Sequence, residues 1–197
     1  MAAILQSLGR TVGAGVVLLV VLILIVGAAT GSWPAATHGW SAFFMRWLHV
    51  LSGVMWIGLL WYFNFVQIPS MPKIPDEQKP AIGKVIAPAA LFWFRWAALA
   101  TLVTGLILAS MNNYIGAALS LQKGAHVIGI GMWLGIIMAF NVWFVIWPKQ
   151  KIALGLVEAS AEEKPKAART AMLFSRTNTM LSIPMLYFMV AQQHGGF

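Results

Sequence analysis

The sequence predicts an all-α integral membrane protein with five transmembrane helices. Of its 197 residues, 60% are hydrophobic and only 9% are charged, whereas soluble domains carry about 25% charged residues. Several apolar runs reach the roughly 20 residues that span a bilayer as a helix. Two of these runs also share one pattern of His, Trp, Gly and Asn. We therefore expect a single polytopic membrane domain over residues 1–197, in which spans two to five form a pseudo-twofold four-helix bundle beside an N-terminal helix.

The apolar runs place the five predicted spans at residues 12–29, 42–66, 89–111, 124–147 and 171–193. The first run has about 18 residues and exceeds the apolar core of a signal peptide, which has about 7–15. An uncleaved anchor is therefore favoured, with a cleaved signal peptide as the alternative. Five prolines (Pro69, Pro72, Pro75, Pro80 and Pro88) predict an irregular loop after span two. Pro148 is expected to close span four, and Pro184 to kink span five.

Basic residues concentrate in alternate loops and set the expected orientation. The loop after span two holds Lys73, Lys79 and Lys84, and the loop after span four holds five further bases. Cytoplasmic loops of membrane proteins are enriched in Lys and Arg. We expect a bacterial inner-membrane protein with its N-terminus in the cytoplasm and its C-terminus in the periplasm. The net charge of +8 follows from this topology and does not indicate nucleic-acid binding.

Spans two and four follow one template at a distance of 77 residues. In each, a His (His49 and His126) lies three residues after a base (Arg46 and Lys123), and a Trp, a Gly and an Asn follow the His by 7, 9 and 15 residues. Ionisable residues inside membrane helices are usually functional. With parallel helices, both His residues lie at the same depth near the periplasmic face. The alternative is that they are hydrogen-bonded residues of the core.

A pair of neutral imidazoles at one depth predicts axial ligation of one b-type haem. The nearby Gly53 and Gly129 would let the porphyrin approach the backbone. Arg46 and Lys123 could pair with the haem propionates, or simply extend to the membrane surface as bases at helix ends do. The sequence has no Cys, so thiolate metal sites and covalent c-type haem are excluded. A His-ligated copper ion stays an alternative, with His194 or His38 as further ligands.

A second polar group is expected about 22 Å from the His pair, because a helix rises 1.5 Å per residue. It comprises residues of the cytoplasmic half of the membrane: Asn64, Arg95, Asn141, Arg176 and Asn178. Guanidinium and carboxamide groups suit an anionic small-molecule substrate. Alternatively, they satisfy interhelical contacts. The spans contain no acidic residue, which disfavours a proton pump or cation-coupled transporter.

Four segments resemble the membrane domain of bacterial cytochrome-c-linked urate oxidases, also known as urate hydroxylases: RWLHVLSGVMWIGLLWYF (46–63), FRWAALATLVTGLIL (94–108), GIIMAFNVWFVIWPKQK (135–151) and SRTNTMLSIPMLYFM (175–189). The chain is similar to a short form without the cytochrome c domain of larger members. The resemblance implies a membrane redox protein that passes electrons to a periplasmic cytochrome c. A looser similarity to copper-resistance membrane proteins lies in the R-x-x-H and W-x-G pattern.

These observations leave three hypotheses for the function. The first is a haem-binding electron-transfer protein in the bilayer, whose partner is a periplasmic cytochrome c or a larger respiratory complex. The second is an oxidase of urate or a related purine at the cytoplasmic polar group. The third is a non-catalytic accessory subunit of a larger membrane complex, without a cofactor.

Overall fold

The computed structural model describes residues 2–196, and every regular element in that range is helical. A single helical turn, Ala2–Leu5, precedes six helices: α1 Leu8–Thr30, α2 His38–Lys73, α3 Lys79–Met111, α4 Ile115–Leu119, α5 His126–Ala153 and α6 Glu163–Ala191. By length and composition, α1, α2, α3 and α5 can each cross a membrane. The all-helical prediction is confirmed, with four such helices rather than five. The helix at the predicted fifth span, α6, is not among them.

The chain divides into two compact units, Met1–Ser41 and Ala42–Phe197. In the first unit, the apolar side chains of α1 are exposed along its length. Its buried residue is Gly27, which packs under the Trp33 ring. A Cβ atom on Gly27 would lie only 2.5–2.8 Å from atoms of that ring. Glycine therefore permits this close approach.

The core of the second unit is built from four helices. Its buried residues come from α2, α3, α5 and α6: Trp56, Ile57, Leu60, Phe63, Leu91, Phe94, Ala97, Ala98, Met138, Ala139, Val142, Ile146, Ala171 and Met185. Phe63 and Phe94 meet edge to face, with ring centroids 5.7 Å apart. A second cluster, which includes Ala109, Ala118 and Met132, packs α4 against α3 and α5. Four helices thus share the first cluster, and α4 is packed by the second.

Most of the prolines lie within helices, which corrects the predicted loop after span two. Helix α2 continues to Lys73 and α3 begins at Lys79, so the irregular segment is only residues 74–78. Pro75 lies in that segment, whereas the other four prolines each take one of the first two positions of a helical piece. Pro80 is the second residue of α3, where the helix does not require the missing N–H, whereas Pro69, Pro72 and Pro88 lie inside the continuous helices α2 and α3.

Three π-helical turns interrupt the long helices, at Tyr62–Gln67, Ile82–Ile86 and Asn141–Ile146. Each ends two residues before a proline, namely Pro69, Pro88 and Pro148. A proline inside a helix clashes with the carbonyl four residues earlier. The wider π turn relieves that clash, and α5 therefore runs past Pro148 to Ala153. The expectation that Pro148 ends span four is wrong for this reason.

Candidate functional site

The second unit contains a cavity of about 660 Å³ between its helices. This size falls within the roughly 300–1,000 Å³ of typical small-molecule sites. Its walls are mostly apolar side chains of α2, α3, α5 and α6. Its polar lining residues are Arg46, His49, Thr101, Tyr114, Gln193 and His194, besides two Trp residues. An amphipathic molecule would suit such a lining.

His49 is held in one orientation by helix α3. Its Nδ1 atom lies 2.9 Å from the carbonyl oxygen of Thr101 and 3.3 Å from the hydroxyl of Thr104. A carbonyl oxygen only accepts hydrogen bonds, so Nδ1 carries the proton and donates it. The other ring nitrogen, Nε2, then has a free lone pair, and no residue in the described range forms a hydrogen bond with it. Metal-ligating histidines in proteins commonly donate their second N–H to a backbone carbonyl in this way.

Space for the His49 ring is provided by a glycine on α3. A Cβ atom at Gly105 would lie 2.8 Å from His49 Cε1 and 3.1 Å from Nδ1. The ring therefore rests against the backbone of α3. Gly53, one turn further along α2, also lines the cavity. A Cβ there would have its nearest contact at 3.9 Å, with the Thr101 methyl group, so the space beside Gly53 is open.

Arg46 and Tyr114 contribute polar groups to the same cavity as His49. Burial raises the pKa of the Tyr114 hydroxyl, and the nearby positive charge of Arg46 offsets part of that rise. Tyr114 is therefore a neutral hydrogen-bond donor at physiological pH. Tyr114 lies in the connection between α3 and α4, outside every predicted span, so hydrophobic periodicity carried no signal for it.

The base and the His in the second half of the repeat do not line the cavity, although its Gly135 does. His126 is exposed at the first position of α5, and Lys123 is exposed just before it. Gly129 is buried against α4, where a Cβ would overlap the carbonyl oxygen of Ala118. The absence of a side chain at Gly129 lets α4 pack closely on α5. The structure therefore brings Arg46, His49 and Gly53 together, and places Lys123, His126 and Gly129 elsewhere on the molecule.

The predicted cytoplasmic group is partly assembled. The Asn64 amide donates to the hydroxyl of Ser175 at 2.8 Å. The Asn141 amide donates to Asn178 Oδ1 at 2.9 Å, and Asn178 donates to the carbonyl of Met138 at 2.9 Å. Asn64, Asn141 and Asn178 are all buried. These bonds join α2 and α5 to α6, so the Asn residues serve interhelical contacts.

The two arginines of this group have different surroundings. The Arg95 guanidinium lies 3.4 Å from the centroid of the Trp147 ring, a cation–π contact, whereas Arg176 is exposed. Several buried polar atoms of this region have no hydrogen-bond partner in the described range: Asn64 Oδ1, Gln67 Oε1, Arg95 Nη1, Trp143 Nε1 and Gln150 Oε1. Unpaired buried polar atoms are rare and call for an explanation such as a bound ligand or water.

Metal ligands are sparse in residues 2–196. No group of three or more His, Asp or Glu side chains comes together there. Of the four His residues in the sequence, His49 and His194 line the cavity. His194 was expected on the periplasmic side, but only as a further ligand for copper.

A family model described as urate oxidase N-terminal matches residues 119–196, which is less than half of the chain. The match covers α5 and α6 and does not extend to the resembling segments 46–63 and 94–108. It supports a relationship with urate oxidases and does not distinguish the cytochrome-c-linked membrane form. Comparisons with curated proteins and with solved structures gave no match.

Proposed function

We propose that the chain is a membrane-embedded redox protein that binds one b-type haem in the cavity, where His49 would hold the haem iron. The observation that carries this proposal is the hydrogen bond from His49 Nδ1 to the Thr101 carbonyl. It leaves Nε2 available inside an apolar cavity of suitable size. A bound haem would supply one-electron chemistry at this position.

The other residues of the cavity fit such a group. Arg46 and Tyr114 provide a cation and a neutral donor for the propionates. Gly53 leaves room beside the ring, and the cavity lining is mostly apolar. Electrons would leave to a periplasmic cytochrome c or to a larger respiratory complex. A His-ligated copper ion is the alternative cofactor, and an accessory subunit without any cofactor is the alternative function.

The proposed topology has five spans, including α6, with the N-terminus in the cytoplasm of a bacterium and the C-terminus in the periplasm. Two observations support α6 as a span. Its polar residues bond to neighbouring helices, including Ser182 with the Trp61 indole at 3.0 Å, and polar groups that bond between helices are compatible with a bilayer. The cavity also combines the start of α2 with the end of α6, so these two ends share one side.

The absence of Cys makes single-cysteine labelling a direct test of this topology. We expect an impermeant maleimide to label Ser120→Cys in intact cells, and to label Glu158→Cys only after the inner membrane is permeabilised. Both positions are exposed. Labelling of both variants in intact cells would contradict the proposed topology.

The haem proposal is tested on the full chain purified in detergent. We expect a Soret band that His49→Ala abolishes while His38→Ala retains it. Circular dichroism must show that both variants keep the helix content of the parent protein. A well-folded, colourless parent protein would overturn the proposal, and a copper content of one ion per chain would favour the copper alternative.

A second candidate function is oxidation of urate or a related purine near Asn64 and Arg95. It is favoured by their unpaired buried atoms, Oδ1 and Nη1, and by the urate oxidase family match. We expect urate-dependent reduction of added cytochrome c, lost in Arg95→Ala and retained in Arg176→Ala, because Arg176 is exposed. No urate turnover with any electron acceptor would exclude this function.

A further inference from the structure

One side chain forms hydrogen bonds between the C-terminal end of α6 and α5. Gln192 donates from Nε2 to the carbonyl of Gly124 at 2.9 Å, and its Oε1 accepts from the backbone N–H of Ile128 at 3.2 Å. The first N–H groups of a helix lack partners within the helix, so Gln192 satisfies one of those of α5. Because both the nitrogen and the oxygen of the Gln192 amide form hydrogen bonds, the position at which the chain leaves α6 is fixed.

Residues 193–196 fold back on α6. Gly195 has φ +68°, a conformation that favours glycine. The N–H of Gly196 donates to the carbonyl of Ala191 at 3.1 Å, and the Tyr187 hydroxyl donates to the carbonyl of Gly196 at 3.0 Å. His194 is therefore carried on a hydrogen-bonded turn.

This turn brings His194 to the cavity, which His49 of α2 also lines. His126, the repeat partner of His49, is exposed and does not line that cavity. Two imidazoles from different parts of the chain are one pair of side chains that can ligate a six-coordinate b-type haem. Sequence spacing favoured the repeat, whereas in the folded chain His194, a residue outside the repeat, lines the cavity together with His49.

We propose that His194, rather than His126, is the second haem ligand of the cavity, and that Gln192 is a positioning residue for it. The inference rests on the proposed haem and adds to it the identity of the partner of His49. It also places the haem where the end of α6 meets the membrane surface, since His194 is exposed at the mouth of the cavity.

The test compares His194→Ala with the matched control His126→Ala in the full-length protein. The parent is expected to show the optical and electron paramagnetic resonance spectra of low-spin, six-coordinate haem. His194→Ala should retain haem but become high-spin and five-coordinate, and added imidazole should restore the low-spin spectrum. His126→Ala should match the parent.

Two further variants separate ligation from a merely structural role. His194→Met should keep six-coordinate haem and raise its midpoint potential, because thioether ligation favours the ferrous state. Gln192→Ala should give a mixture of low-spin and high-spin haem, since the turn is less well fixed.

The outcomes distinguish the two proposals. An unchanged low-spin spectrum in His194→Ala, or a loss of the low-spin spectrum in His126→Ala alone, overturns the assignment of His194 and leaves the haem proposal intact. A parent protein without haem overturns both.

Discussion

Gly105→Ala tests whether the α3 backbone positions the His49 ring. The added methyl group would lie 2.8 Å from His49 Cε1, whereas ordinary contacts begin at 3.4 Å, so the ring must move by about 0.6 Å. Its hydrogen bond to Thr101, now 2.9 Å, would then reach the limit of hydrogen-bond distance. The structure thus predicts that one added methyl group weakens the hydrogen bond between His49 and the Thr101 carbonyl of α3.

The size of the effect follows from three contributions. Overpacking of a filled site costs about 1–3 kcal/mol, and the weakened hydrogen bond costs about 1 kcal/mol. Replacing glycine by alanine within a helix returns about 0.5–1 kcal/mol. We therefore expect a net loss of about 1–3 kcal/mol in the free energy of unfolding, together with reduced haem occupancy.

The assay is reversible unfolding in detergent, followed by circular dichroism, with haem occupancy measured on the same preparations. Gly15→Ala on α1 is the matched control, because a Cβ there would meet nothing within 4 Å. The decisive comparison is a double-mutant cycle. In a His49→Ala background the clash is gone, so Gly105→Ala should be neutral or should stabilise the protein by up to about 1 kcal/mol. A penalty that persists undiminished in that background would refute the reasoning.

Three other predictions follow from the same geometry. Gly53→Ala should leave stability within about 1 kcal/mol of the parent, because its nearest contact is at 3.9 Å, but should lower haem occupancy; equal occupancy would contradict the placement of the haem. Gly129→Ala should destabilise by about 1–3 kcal/mol, through its clash with Ala118, without changing the haem spectrum of the folded fraction; Gly116→Ala, with nothing within 4 Å, is its control. Burial raises the pKa of Tyr114 in the folded state, so its contribution to stability is fully present below about pH 10, the ordinary Tyr pKa, and is lost as the pH rises above that value. Tyr114→Phe should therefore show a smaller alkaline loss of stability than the parent in unfolding measured from pH 8 to 11, and identical profiles would contradict this.

The sequence was most informative where hydrophobicity alone decides the structure. The runs at 42–66 and 89–111 lie within helices α2 and α3, because an apolar run of that length has few alternatives to a helix. The helices extend further than the runs, since helix formation continues into the polar segments beyond them. Pro69, Pro88 and Pro148 do not end their helices, and a π turn precedes each of them, whereas Pro75 lies in the irregular segment 74–78.

The site was less predictable, because its assembly depends on side-chain direction and on tertiary contacts. His49 and His126 have equal spacing to their Trp, Gly and Asn neighbours, yet His49 lies against Gly105 and His126 is exposed. Nothing in the local spacing distinguishes them. Helix α4 packs against Gly129. It therefore fills the space beside Gly129 in which the repeat predicts a cofactor. Residues far along the chain, such as His194, join the cavity only through the antiparallel return of α6.

The central claim is that the cavity of His49 holds one haem b. It is tested most directly by the pyridine haemochrome assay on the purified full-length chain, with protein concentration determined by amino-acid analysis. We predict the haemochrome spectrum of haem b, with about one haem per chain in the parent protein and almost none in His49→Ala. A well-folded parent protein with no haem, or a haem content that His49→Ala leaves unchanged, would contradict the claim.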